Sequence, residues 1–471
     1  MKWLRPAHVP VFLFCLLAAC GGGTPHADID TSLIDSSRVP ATSDSIVPGR
    51  VLSMSCRADA SQTYALYVPE AIKSGPLPIV YFFDPHGDGG LPVTRYRSLA
   101  DRYHMILAGS NNSRNGNDFP TADRIWDALS ADTKNRLPLA TGQVYVCGFS
   151  GGGKVASYLG LQHPGIKSVI AGGAGIPLTG SGTPVGFTFT AIAGTGDMNM
   201  TDLVRINDQL DQTAVRHRII FFNGIHEWAP LPTMDIAFSG LFLDAMAAGT
   251  VPVNETLVER FVSMTKSWIG TLLAGHDDTR AEAACRVAIS MLTGVSDQVH
   301  GFEAQDRSIR ESPSYRRQLQ VEQDLFTREE AIKNDYQQHF ETGDDAYWRH
   351  VIDTVRQKAK SVTPEGAMYQ RLAAFLSLAF YSISNQLINA QRNEEARHYV
   401  DLYKLADPAN SEAWYLSAVL DARAGSAALA QADLARAVAT GFRDRSRLTS
   451  QPEFLRLGNQ LNLAQIEQQM K

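Results

Sequence analysis

The sequence predicts an α/β fold on a mostly parallel sheet, followed by an all-helical half. Between about residues 50 and 249, short apolar runs alternate with amphipathic helical windows. Most of these runs lack polar alternation, which suits strands buried on both faces of a parallel sheet. After Val251, Gly and β-branched runs thin out, while Ala, Leu, Glu, Gln and Arg recur at helical spacing. The 471 residues leave room for two or three domains, and a chain that is 44% hydrophobic and 20% charged is neither disordered nor collagen-like. Lys and Arg total 43 against 49 Asp and Glu, a net charge of −6. With no basic excess to neutralise phosphates, nucleic acid is not an expected partner.

Taken in chain order, residues 1–19 read as a secretory signal. Lys2 and Arg5 give a short positive segment, and the apolar run from Val9 to Ala19 is too short to span a bilayer. Leu17-Ala18-Ala19-Cys20, followed by Gly21-Gly22-Gly23, resembles the bacterial lipobox; an ordinary signal peptide with a chance Cys is the alternative. The resemblance implies that Cys20 is lipidated and becomes the mature N-terminus in the bacterial cell envelope. Gly21, where Asp is absent, points to the outer membrane facing the periplasm. Residues 20–48, rich in Ser, Thr, Asp and Pro, then form a flexible tether. Cys56, Cys147 and Cys285 remain in a compartment that permits disulfides. Cys147 reads as a buried thiol, and a bond between Cys56 and Cys285 is left open. No spacing suggests a zinc site, and neither metal nor cofactor is expected.

Residues 49–250 form the expected α/β domain. Runs 51–56 and 63–68 predict a hairpin-like pair, and 79–83, 105–108, 144–147, 169–171, 187–193 and 218–222 predict buried strands. Residues 251–471 form the expected helical domain. Within it Phe380, Ala396, Val400 and Pro408 are followed 34 residues later by Trp414, Ala430, Leu434 and Phe442, a spacing that resembles tetratricopeptide repeats. Two degenerate repeats are expected over 377–444, packed on the helices of 331–376, and a generic helical bundle is the alternative. Such repeats would bind a protein partner or brace the other domain.

The chemistry concentrates around Gly148-Phe149-Ser150-Gly151-Gly152, a G-x-S-x-G run after an apolar strand and before a helix-like segment. A sharp strand-to-helix turn there would lift Ser150 Oγ above the sheet and aim the Gly151 N–H at an oxyanion. The same stretch nearly matches a phosphate loop, G-x-x-x-x-G-K, but Val155 stands where Ser or Thr would hold Mg²⁺. A serine hydroxyl needs a base, and the base an orienting carboxylate. Both follow in order: the run 187–193 opens into Gly194-Thr195-Gly196-Asp197, and the run 218–222 into Asn223-Gly224-Ile225-His226-Glu227-Trp228.

These ordered motifs resemble the α/β-hydrolase superfamily, particularly small esterases and depolymerase-like enzymes, over about residues 50–248. The resemblance implies Ser150 as nucleophile, Asp197 as triad acid and His226 as base. Asp202 and Glu227 are the rival acids, and His163 and His217 suit structural roles better than catalysis. Residues 86–90, His-Gly-Asp-Gly-Gly, match the family's H-G-x-G loop. The match implies a second oxyanion donor at the Asp88 N–H, with Gly87 beside it and His86 structural. Asp84-Pro85 depart from the family pattern immediately before the loop. Residues 111–118 can line a polar cleft or form a solvated loop, and Trp228 can wall the pocket or pack as core. The short, Gly-rich link between residues 171 and 187 leaves no room for a large cap, so a fairly open site is expected. The leading expectation is a lipid-anchored serine hydrolase acting on small-molecule or polymer esters. Peptide amides are the alternative substrates, and a non-catalytic envelope binding protein on the same scaffold is the alternative class.

Overall fold

The computed structural model describes residues 45–70, 75–177 and 186–470. The signal segment, Cys20 and nearly all of the tether lie outside the described residues.

Eight strands form one sheet: β1 (Val51–Ser55), β2 (Thr63–Tyr67), β3 (Leu77–Phe83), β4 (Ile106–Ser110), β5 (Leu139–Phe149), β6 (Ile166–Gly172), β7 (Thr188–Gly194) and β8 (His217–Phe222). Each overlaps one of the expected apolar runs, although β5 starts five residues before its run. Their spatial order is β1-β2-β4-β3-β5-β6-β7-β8. β1 and β2 pair antiparallel, β2 pairs antiparallel with β4, and every later pairing is parallel. This is the α/β-hydrolase arrangement. The helices that return the chain are α1 (Gly90–Tyr103), α2 (Phe119–Arg136), α3 (Gly151–Gln162), α4 (Met200–Leu210) and α5 (Leu231–Ala247).

Successive strand residues face opposite sides, so each strand feeds two apolar layers. Val80, Phe82, Tyr145, Cys147, Ile170, Ile192 and Ile220 pack against Tyr96 and Leu99 of α1 and Phe238 and Leu241 of α5. Ile79, Tyr81, Phe83, Val146, Val169 and Ala191 pack on the other side against Trp126 of α2, Leu159 of α3 and Leu203 of α4. Every residue of β3 is buried, which explains why its sequence shows no alternation.

The helical half comprises α6 (Glu255–Ala274), α7 (Asp278–Leu292), α8 (Val299–Glu311), α9 (Pro313–His339), α10 (Asp345–Lys358), α11 (Pro364–Asn389), α12 (Asn393–Ala406), α13 (Ser411–Arg423) and α14 (Ala427–Ala439). Short helices α15 (Arg445–Ser450), α16 (Pro452–Leu457) and α17 (Leu463–Gln469) follow. Composition changes at residue 251, but packing does not. The first apolar layer continues from α5 through Phe261 and Ile269 of α6, Cys285 and Met291 of α7 and Phe302 of α8 to Tyr315 of α9. A second core starts at Tyr336 and runs through Trp348, Leu372, Phe380, Val400, Leu434 and Phe454.

The turns that end α11 and α13 are alike. Gln391 and Gly425 both adopt positive φ, at 58° and 75°, in the turns after α11 and α13. Immediately afterwards Arg392 N–H donates to Leu387 O and Ser426 N–H to Asp421 O, each at 2.9 Å. Ala396, Ala418, Ala430 and Ala437 are fully buried where helices approach closely. The three described cysteines are free thiols in the interior, with Cys56 and Cys285 in different apolar layers. Burial pushes their thiols up, to about 11 for Cys56 and about 12 for Cys285.

β8 is braced by a buried ion pair. Arg218, 4% exposed, donates Nε to Thr190 Oγ1 at 2.8 Å and pairs with Asp244 of α5, which also accepts Arg216 Nε at 2.8 Å. Removing one partner leaves a buried charge without its counter-ion. Asp244→Ala should therefore lower stability by about 3–5 kcal/mol in urea unfolding.

Candidate active site

Parallel register brings five strand ends to one edge. Phe83 lies beside Gly148, Phe149 beside Gly172, Gly172 beside Ile192 and Gly194 beside Phe222. The loops after β3, β5, β7 and β8 therefore emerge together, at the edge where open parallel sheets present their sites.

β5 ends at Phe149 and α3 begins at Gly151, leaving Ser150 alone to make the turn. Its φ of 54° and ψ of −122° lie where side chains are disfavoured, at a cost of about 1–3 kcal/mol. The turn is locked by Ser150 N–H donating to Gly172 O at 2.8 Å. It also requires its neighbours to lack side chains. A Cβ on Gly152 would be driven into the Phe83 carbonyl, and one on Gly148 into the Gly152 carbonyl. A one-residue turn leaves no loop wide enough to cradle phosphate, so the phosphate-loop alternative fails on geometry.

Ser150, 2% exposed, has its Oγ 2.9 Å from His226 Nε2. The other ring nitrogen, Nδ1, lies 2.9 Å from Asp197 Oδ1, and Asp197 is 1% exposed. Asp197 also accepts the Asn199 N–H at 2.8 Å, while Asn199 Nδ2 donates to Gly173 O at 2.8 Å. The His226 ring packs on Phe149 at 4.6 Å between centroids. Gly173, at φ +58°, is a residue sequence reasoning missed. A Cβ there would come within 2.8 Å of His226 Cε1 and 2.9 Å of Asp197 Oδ2. Its position at the end of β6 is the signal that identifies it.

The rival residues lie elsewhere. Asp202 sits in the first turn of α4 and pairs with Arg205 at 2.8 Å. Glu227 turns its carboxylate toward Gly224, while Asp197 occupies His226 Nδ1. His163 lies 3.4 Å from Asp123, and His217 lies 3.2 Å from Asp211.

The loop after β3 is organised around Asp84, which is 1% exposed. Its Oδ1 accepts His86 N–H at 2.8 Å and Asp88 N–H at 3.4 Å, and its Oδ2 accepts Trp228 Nε1 at 2.8 Å. Gly87 N–H donates to Asp84 O at 3.2 Å. Both expected oxyanion donors are thus engaged with Asp84, the Asp88 bond being the longer. Asp84 holds the half-exposed His86 above its ordinary value, and the more distant charge of Glu412 on α13 acts in the same direction. Trp228 is core: 5% exposed, it packs on Phe82, Tyr96 and Phe149. The departure at Asp84 noted in the sequence is therefore the device that ties the loop to the segment carrying His226.

Residues 111–118 are anchored. Asn115 N–H donates to Pro85 O at 2.8 Å, His86 and Arg114 form a β-bridge, and a Cβ on Gly151 would meet the Asn115 side-chain oxygen. α11 reaches the loop that carries Asp197 from the distant half of the chain. Arg371 reaches Thr195 O at 2.8 Å, and Gln370 lies against Gly196. Among the described residues no cluster of ligating side chains suits a metal ion.

No family model matches the chain. No curated protein matches it. Similar solved structures include the substrate-bound fluorophosphonate-binding serine hydrolase FphF of Staphylococcus aureus, at 15% identity over 41% of this chain and 99% of that one, with a TM-score of 0.33. They also include an esterase of Pyrobaculum calidifontis (15%; 46% and 85%; 0.32) and an S-formylglutathione hydrolase of Agrobacterium tumefaciens (16%; 41% and 93%; 0.32).

Gly152→Ala should cost about 3 kcal/mol or more, because a backbone carbonyl cannot rotate away from the added methyl. Gly165→Ala, which meets nothing within 4 Å, should change stability by less than about 0.5 kcal/mol. Paired urea titrations compare the two.

Proposed function

We propose that this protein is a lipid-anchored serine hydrolase that cleaves carboxyl esters through an acyl-enzyme. The observation that carries the reading is the continuous relay from Ser150 Oγ through both nitrogens of His226 to Asp197, with both links at 2.9 Å. In this reading His226 Nε2 takes the proton as Ser150 Oγ attacks the ester carbon. Asp197 holds the ring in the tautomer with its proton on Nδ1 and stabilises the imidazolium that forms. Negative charge on the tetrahedral oxygen is met by the Gly151 N–H at the start of α3 and by the Asp88 N–H beside Gly87. The 3.4 Å bond from Asp88 to Asp84 is the one in this loop that yields most easily to a stronger acceptor. His226 then protonates the departing alcohol, and water, activated by the same ring, releases the acid.

Around this site we propose the order signal peptide 1–19, tether 20–48, hydrolase domain 49–250 and helical domain 251–471. The Leu-Ala-Ala-Cys run supports acylation at Cys20 and placement in the bacterial envelope. The 34-residue spacing from Phe380, Ala396 and Val400 to Trp414, Ala430 and Leu434 supports tetratricopeptide-like repeats over 377–444. The relay favours a hydrolase over a binding scaffold, and the lack of a propeller or large cap domain among the described residues favours an ester hydrolase over a peptidase.

Purified protein should hydrolyse short-chain nitrophenyl esters and leave peptide nitroanilides nearly untouched. Ser150→Ala should abolish ester turnover, and Asp197→Asn should lower kcat by about 10³- to 10⁴-fold. Faster cleavage of the anilides would favour the peptidase, and absence of Ser150-dependent turnover of both would favour the binding scaffold.

A further inference from the structure

The loop carrying Asp197 is held from two sides. Its inner side is tied to the end of β8: Thr195 N–H donates to Phe222 O at 3.0 Å and Gly196 N–H to Gly224 O at 2.8 Å. Its outer side is reached from α11. Arg371 Nη1 donates to Thr195 O at 2.8 Å and also lies 3.8 Å from Met200 Sδ, the first residue of α4. These contacts fall on both sides of Asp197 in sequence.

The guanidinium is itself fixed. Arg371 is 3% exposed, and its Nε and Nη2 lie 2.8 and 2.6 Å from Glu329 Oε2 on α9, a residue with no exposed surface. Lys333 Nζ lies 2.8 Å from the other Glu329 oxygen. Nε and Nη2 form one edge of the planar fork, and occupying that edge with a carboxylate leaves Nη1 directed away from it. That remaining nitrogen meets the acid loop. An ion pair serving only to join α9 to α11 has no need of a backbone carbonyl 176 residues earlier in the chain.

We propose that Arg371 is a positioning residue for the hydrolase, a clamp through which the helical half sets the loop that aims Asp197 at His226. This rests on the triad reading above. Lysine cannot replace it, because an ammonium is a point donor that cannot grip Glu329 along one edge and Thr195 with another nitrogen. The helical half is then part of the catalytic machinery, and a hydrolase lacking it would hold its acid loose.

The test uses full-length Arg371→Lys and Glu329→Gln, with Asp197→Asn as the reference for a lost acid. Two properties are read: the rate of Ser150-dependent fluorophosphonate labelling, and the titration of the His226 ring by NMR, its signal assigned with His226→Gln. Charged groups on the surrounding loops, Asp84, His86, Asp88 and Glu227, are the same in each clamp variant. With the clamp loosened, labelling should slow by about 10- to 100-fold. The His226 midpoint should move down, in the direction Asp197→Asn moves it, since a displaced carboxylate no longer favours the imidazolium. The double variant Arg371→Met/Glu329→Gln removes both charges of the pair together, so it provides a folded readout should either single variant fail to fold. Wild-type labelling and titration in any folded clamp variant, beside an impaired Asp197→Asn, would overturn the clamp alone. Wild-type behaviour in Asp197→Asn would overturn the triad reading and the clamp together.

Discussion

The strained turn at Ser150 is the constraint on which the rest of the site depends. A residue at φ 54° persists only when surrounding structure over-determines it. Here β5 must end beside β6, where Gly172 O accepts the Ser150 N–H, and α3 must start against the end of β3, where Gly152 touches the Phe83 carbonyl. These contacts fix Ser150 Oγ relative to the sheet edge. The register of β7 and β8 then decides whether Asp197 and His226 meet it. One residue of slip would turn the strand's side chains to the opposite face and displace the loops that follow.

The second organising feature is the continuity between the halves. α5 is apolar nearly all round because it lies between the sheet and α6 and α7, as a helix buried on every side must be. α7 packs along β8, the outermost strand, and Ser290 Oγ donates to His217 O at 3.0 Å at that edge. A sheet edge that would otherwise expose unpaired backbone is thereby covered. The later helices reach the rim of the site itself, at the acid loop through Arg371.

Much of the architecture was legible in the sequence because it is local. Runs such as 79–83 are apolar without alternation for the same reason that β3 has no exposed face, and the G-x-S-x-G glycines are required by contacts close at hand. Ser150, Asp197 and His226 could be singled out because each follows a buried run ending at the same sheet edge. What escaped depends on distant parts of the chain meeting. Asp84 looked like an irregularity until Trp228, 144 residues away, was seen to donate to it. Gly173 is required only because the acid and the imidazole converge above it. The change of composition at residue 251 falls after α5, well past the last strand at Phe222, whereas the apolar layer beneath the sheet runs on to Tyr315.

The relay among residues 150, 197 and 226 is tested most directly by treating the folded protein with an alkyl fluorophosphonate and mapping the adduct by peptide mass spectrometry. One stoichiometric adduct is expected, on Ser150, formed by native protein and lost on denaturation before treatment. Native protein that stays unmodified, or that carries the adduct on another residue, would contradict the relay.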